Sequence, residues 1–106
     1  MKQMPEFKSA DTILSETVSP DRKHVVTVFE RDVGATADFS TIVAVRRFAE
    51  KFNPERGRVF VASGRHDISV AWTDGASLKI SYDIDSKDIF RKDDTTLDSI
   101  AVTYRK

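Results

Sequence analysis

Within Ser63-Gly64-Arg65-His66-Asp67 the chain spells a hydroxyl, an imidazole and a carboxylate in close succession. These are the three groups of a hydrolytic triad, in which the carboxylate orients the imidazole and the imidazole takes the hydroxyl proton. Triad members meet through tertiary geometry, so closeness along the chain is no evidence that they interact. A polar loop whose Ser63 and Asp67 bond to backbone explains the same residues. We assign no catalytic residue from the sequence. A hydrolase-like enzyme would have to use His66 or His24, the two histidines, with nearby carboxylates.

Metal chemistry has less support. No H-x-x-x-H or H-E-x-x-H spacing occurs, and cysteine is absent, so no metal site and no cofactor is expected. Asp83, Asp85 and Asp88 could suggest calcium, but the glycine and closing glutamate of a twelve-residue calcium loop are missing. A solvated acidic connection is the simpler account. Arg46, Arg47, Lys51, Arg56 and Arg58, beside Phe48 and Phe52, have the loose grammar of a nucleic-acid surface. Glu50 and Glu55 dilute that stretch, and two phenylalanines four apart read as core anchors of a helical turn. Nucleic acid is not the expected partner.

The preferred recognition region is Asp32 to Thr41, whose small and polar residues suit a constrained bulge or a binding loop. Arg31, Asp32 and Asp38 supply charge, Gly34 a positive φ, and Thr36 a hydroxyl. Arg56 and Arg58, in and just after the Asn53-to-Gly57 loop, complete the candidate binding residues. The alternative is that Arg31 and Asp32 bond locally and only hold the loop shut.

Strands must position these loops. Ile68 to Tyr82, ISVAWTDGASLKISY, alternates apolar and polar on both sides of a turn and reads as a hairpin with one apolar face. Directly opposed residues share a face, so Trp72 should oppose Leu78, Val70 oppose Ile80, and Ile68 oppose Tyr82. A plain two-residue Asp74-Gly75 turn would set apolar against polar groups. The pattern therefore predicts a three- or five-residue connection, or a bulge.

Upstream, Thr12 to Val18 leans to strand through its β-branched residues, and Ser19-Pro20-Asp21-Arg22 reads as a type I turn. His24 to Arg31 is apolar on both faces, which predicts a strand covered on each side. Phe39 to Phe48 is a further strand, blurred at its end by the fair helix propensity of RRFAEKF. Val59 to Ala62 is a short one, and SIAVTYR closes the chain with one wet face. Asp83 to Asp98 is acidic and broken, with room for one helical turn near Lys87 to Arg91.

Composition narrows the classes. The 106 residues suit one domain, residues 1 to 11 forming a frayed start. Lysine plus arginine, 17, equals aspartate plus glutamate, 17, so no overall field favours nucleic acid or an anionic membrane. No apolar run approaches the roughly 18 residues that span a bilayer, so no transmembrane segment is expected. MKQMPEFKSAD lacks the apolar stretch of a signal peptide. The expected location is the cytoplasm as the sequence stands, or the bacterial envelope where a leader has been removed.

Three stretches together carry a resemblance: SPDRK at Ser19 to Lys23, FERDVGATADFST at Phe29 to Thr41, and GRVFVASGRHDISVAWTDGASLKISY at Gly57 to Tyr82. Their order and spacing resemble a family of small bacterial proteins described as a domain of unknown function, often predicted envelope lipoproteins with a lipobox leader. RDVGATADFST is the most specific part. Family members carry cysteine where Val33 stands and glycine where Arg22 stands. Any thiol role in the family is closed to this chain. The resemblance implies a β-rich domain and carries no activity and no catalytic residue.

The sequence thus points to an all-β, mainly antiparallel domain, a single curled or two-layer sheet of roughly five to seven strands with at most one or two short helical turns. Phe39, Phe48, Phe60, Trp72, Tyr82 and Tyr104 are the expected anchors. The expected function is non-enzymatic binding of another protein, as an immunity, inhibitor or envelope accessory protein. Such a domain should expose an apolar or charged patch or an open edge strand.

Overall fold

A computed structural model describes residues 10–32 and 39–106. Two sheets pack face to face. The first has the order β1-β2-β3-β4-β7, from β1 (Ala10–Val18), β2 (His24–Asp32), β3 (Phe39–Arg47), β4 (Arg58–Ser63) and β7 (Ile89–Lys92). The second has the order β5-β6-β9-β8, from β5 (Ser69–Asp74), β6 (Ser77–Ser81), β9 (Ile100–Arg105) and β8 (Thr95–Thr96). Every pairing is antiparallel except β6 with β9. The all-β reading holds, in two layers. The described residues form nine strands, more than the sequence marks, because β7 and β8 are four and two residues long and leave too little alternation to read.

The core lies between the sheets. Val26, Val28, Val43, Val45 and Phe60 from the first meet Leu78, Ile80, Ile100 and Val102 from the second. Ladder partners share a face, so Val26 opposite Val45 and Val28 opposite Val43 define the inner face of the first sheet. Its outer face carries a smaller cluster of Phe29, Ile42 and Ala44, covered by Phe52 and Val61. Phe52 meets Phe29 edge-on with ring centroids 5.2 Å apart. His24 to Phe29 are consequently buried without a break, which accounts for a strand apolar on both faces.

The β5-β6 hairpin places Trp72 opposite Leu78 and Val70 opposite Ile80. Asp74 opposes Ser77 across a two-residue Gly75-Ala76 turn, and a register shift between Trp72 and Asp74 restores the apolar pairing. The bulge is the compensating device that the alternation demands. Trp72 also ties the layers together, its Nε1 donating to the Thr17 carbonyl at 2.9 Å.

A second bulge fixes β1. Below Leu14, Val18 opposes Val25 and Ser15 opposes Val28; above it, Ile13 opposes Phe29 and Asp11 opposes Arg31. Without that shift, Asp11 would stand opposite Asp32 and Ile13 opposite Glu30. Like charges directly opposed destabilise a ladder. The extra residue at Leu14 therefore exchanges a repulsion for an ion pair.

The β1-β2 turn closes through the Arg22 amide donating to the Ser19 carbonyl at 2.9 Å, with the Ser19 hydroxyl on Asp21 at 2.6 Å. Those bonds hold the Asp21 carboxyl below its usual range, Ser19 first and the Lys23 amide second. Arg22 sits at φ +62, the left-handed region that favours glycine.

Two expectations need correction. Phe48 is no anchor: it is 46% exposed, with the Arg22 guanidinium 5.7 Å from its ring centroid. RRFAEKF forms no helix, because β3 runs to Arg47 and a turn follows at once. The helical turn near Lys87 is a three-residue 3-10 turn, Ser86–Asp88, leading straight into β7. Phe60 is fully buried, and Trp72, Tyr82 and Tyr104 pack against the core as half-buried side chains. Among the described residues no helix is long and apolar enough to cross a membrane.

Candidate functional site

Gly34, Thr36 and Asp38 lie outside the described residues, as do residues 1 to 9 of the expected frayed start; its last two, Ala10 and Asp11, open β1 instead. Asp32 closes β2 opposite Phe39. Arg31 is fully engaged. Its Nε and Nη2 donate to the two Asp11 oxygens at 2.8 and 3.1 Å, and Nη2 meets Glu55 Oε2 at 2.7 Å. These carboxylates, Asp11 foremost, raise the Arg31 pKa still further. Arg58 joins the same cluster, with Nη2 on Glu55 Oε1 at 3.2 Å and Nε on the Pro54 carbonyl at 2.8 Å. Glu55 thus bridges the two regions that sequence reasoning picked separately. Asp11 and Glu55 were missed there, since their role depends on a bulge and a folded-back loop.

That loop, residues 48–57, folds over the outer face of the first sheet. Gly57 makes the reversal possible: it sits at φ +72, its carbonyl accepts the Val45 amide at 2.9 Å, and a Cβ there would collide with the Val45 carbonyl. Between loop and sheet lies a cavity of about 650 Å3, whose lining includes Thr27, Ala44, Arg46, Lys51, Phe52 and Arg56. Arg46 donates from Nη1 to the Glu50 carbonyl at 2.9 Å and from Nη2 to Glu16 at 3.3 Å. Its Nε is buried and has no partner. Of the described candidate binding residues, Arg56 alone lines this cavity, and it is joined there by Arg46, Arg47, Lys51 and Phe52 of the basic stretch that the sequence marks.

A second polar cluster sits where the layers meet. His24 Nε2 lies 2.8 Å from Asp98 Oδ2, and Arg47 grips the same carboxylate with Nη2 at 2.8 Å and Nε at 3.1 Å. Arg47 first, and His24 second, push the Asp98 carboxyl down to about 2. An ionised carboxylate only accepts, so His24 carries its proton on Nε2. Its Nδ1 is buried without a partner. Asp98 and Ser99 both have positive φ, 56 and 59, so left-handed backbone carries the carboxylate. His24 and Asp98 also line an indentation that contains Asp21 and Asp74.

The Ser63, His66 and Asp67 set does not assemble as a triad. His66 Nε2 donates to the Ser63 carbonyl at 2.6 Å, and the His66 amide donates to the Thr41 hydroxyl at 3.2 Å. A carbonyl cannot be activated as a nucleophile, so this geometry is that of a braced turn. No group of three or more His, Cys, Asp or Glu side chains suited to a metal occurs among the described residues.

The exposed apolar groups are unevenly distributed. Among the described residues, Ile13, Leu14, Val18, Phe48 and Phe90 are the exposed large ones. The first three are on β1, the edge strand, and Phe48 donates its amide to Lys23 of the adjoining turn. Comparison with known proteins yields no matching family model, no matching curated protein and no matching solved structure.

Proposed function

We propose that this is a non-enzymatic β domain that binds another protein through the β1 margin of its five-stranded sheet, as an immunity, inhibitor or envelope accessory protein. The observation that carries the reading is the exposure of Ile13, Leu14 and Val18 along the edge strand β1, with Phe48 beside the β1-β2 turn, all 39 to 49% exposed. Apolar side chains so placed contribute little to folding and much to association once a partner covers them. The outer edge of β1 adds backbone donors and acceptors that no other described strand pairs. Leu14 interrupts that edge, which leaves Ser15 to Val18 as its regular part. Arg31 and Arg58 act here as supports, since each is already held by Glu55.

One observation favours a second reading, a hydrolase-like enzyme: the contact of His24 with Asp98. Three features weigh against it. Arg47 already holds Asp98, His24 Nδ1 is buried, and the nearby Ser19 hydroxyl donates to Asp21. Affinity capture from source-cell fractions with the wild-type chain and an Ile13→Lys/Leu14→Lys variant tests the order. The binding reading predicts a stoichiometric partner that the variant loses. Undiminished capture by the variant contradicts it, and so does a hydrolysis that His24→Ala abolishes.

A further inference from the structure

We propose that the cavity beneath the 48–57 loop is a binding site for a small oxyanion with a compact apolar body, the chemistry of an aryl or short alkyl carboxylate. This inference does not depend on the β1 margin.

Size comes first. About 650 Å3 falls inside the range of small-molecule pockets, roughly 300 to 1,000 Å3. Chemistry comes second. The lining contributes Arg46, Arg47, Lys51 and Arg56 against the single carboxylate of Glu50. Arg47 is neutralised by Asp98 and Arg46 is held by Glu16, both from outside the lining. Lys51 and Arg56 have no side-chain hydrogen bond or ion pair among the described residues. The cavity therefore keeps an excess of positive charge.

Third is a held wall. Arg46 satisfies Nη1 and Nη2 on the Glu50 carbonyl and Glu16, and its Nε is withdrawn from solvent, so this side is fixed while the unpaired charge rests on Lys51 and Arg56. Phe52 and Ala44 supply apolar wall beside these cations. An oxyanion seated here would face Lys51 and Arg56 and rest its apolar body on Phe52. Nucleic acid fits less well. The cations converge on an indentation under one loop, and the whole chain carries no net charge.

Isothermal titration of the full chain with sodium benzoate, at fixed ionic strength, tests the site, with neutral benzamide as the control of equal shape. The expected result is saturable benzoate binding, no binding of benzamide, and an affinity loss of about tenfold or more in Lys51→Gln/Arg56→Gln. These two side chains make no bonds in the fold, so this variant should keep the wild-type melting temperature. Arg46→Gln should lose binding as well, but its Glu16 contact makes it the less clean test. Equal binding of benzamide, unchanged benzoate affinity in Lys51→Gln/Arg56→Gln, absence of saturable binding, or displacement of benzoate by a short oligothymidylate would each overturn the proposal.

Discussion

The inner and outer faces of the five-stranded sheet are closed in different ways. The inner face meets a second sheet, and the side chains between them, such as Val26, Val43 and Phe60 against Leu78, Ile80 and Val102, are almost wholly withdrawn from water. The outer face is closed by one loop, through Phe52 on Phe29 and Glu55 on Arg31 and Arg58. A sheet-on-sheet contact spreads burial over many residues, while a loop concentrates it in a few. The outer face carries a cavity, cations without an ion pair among the described residues, and exposed apolar groups along β1. In the proposed reading, scaffold and binding surface are the two sides of one sheet.

Substitutions can break that contrast, the largest effect coming from the inner face. Phe60→Ala should cost about 4 kcal/mol in urea unfolding, since a fully buried ring leaves a cavity that neighbours on both sheets cannot fill. Gly57→Ala should follow at about 3 kcal/mol, combining a left-handed backbone with the collision against Val45. Phe52→Ala, on the half-buried outer side, should cost about 2 kcal/mol. If Phe52→Ala costs as much as Phe60→Ala, the loop is part of the core and the contrast fails.

The polar joint between the layers has its own signature in pH. Asp98 is lowered to about 2 from an ordinary 3.8. Its stabilisation is therefore complete above about pH 4 to 5 and is lost as pH falls toward 2. Asp98→Asn should be less stable than wild type at neutral pH, with the gap closing across that acid window. Asparagine tolerates the left-handed backbone at this site, so the comparison isolates the charge. A gap that stays constant down to pH 2 would show that Arg47 and His24 do not depend on the carboxylate.

Much of the inner face was legible from alternation alone. The Trp72-Leu78 and Val70-Ile80 pairs follow from period two, and so does the need for a bulge where the turn is short. That the outer face of β2 is covered was legible from its apolar residues on both sides, but what covers it was not. The Leu14 bulge leaves no mark in composition, yet it decides that Asp11 meets Arg31. Phe52 reaching Phe29 and Asp98 reaching His24 are contacts made by the fold, between segments whose local propensities say nothing of each other. Phe48 and Phe52 have the same type and helical spacing; only the path of the loop makes one exposed and the other an anchor.

The smallest effect is the one on which the account most depends. If the apolar side chains of the β1 margin serve association, removing them should leave folding nearly untouched. Urea unfolding of Ile13→Lys/Leu14→Lys should therefore fall within about 0.5 kcal/mol of wild type, with an unchanged denaturant slope. A loss of 2 kcal/mol or more, about the size expected for Phe52→Ala, would make Ile13 and Leu14 part of the packing and contradict the assignment of that margin to a partner.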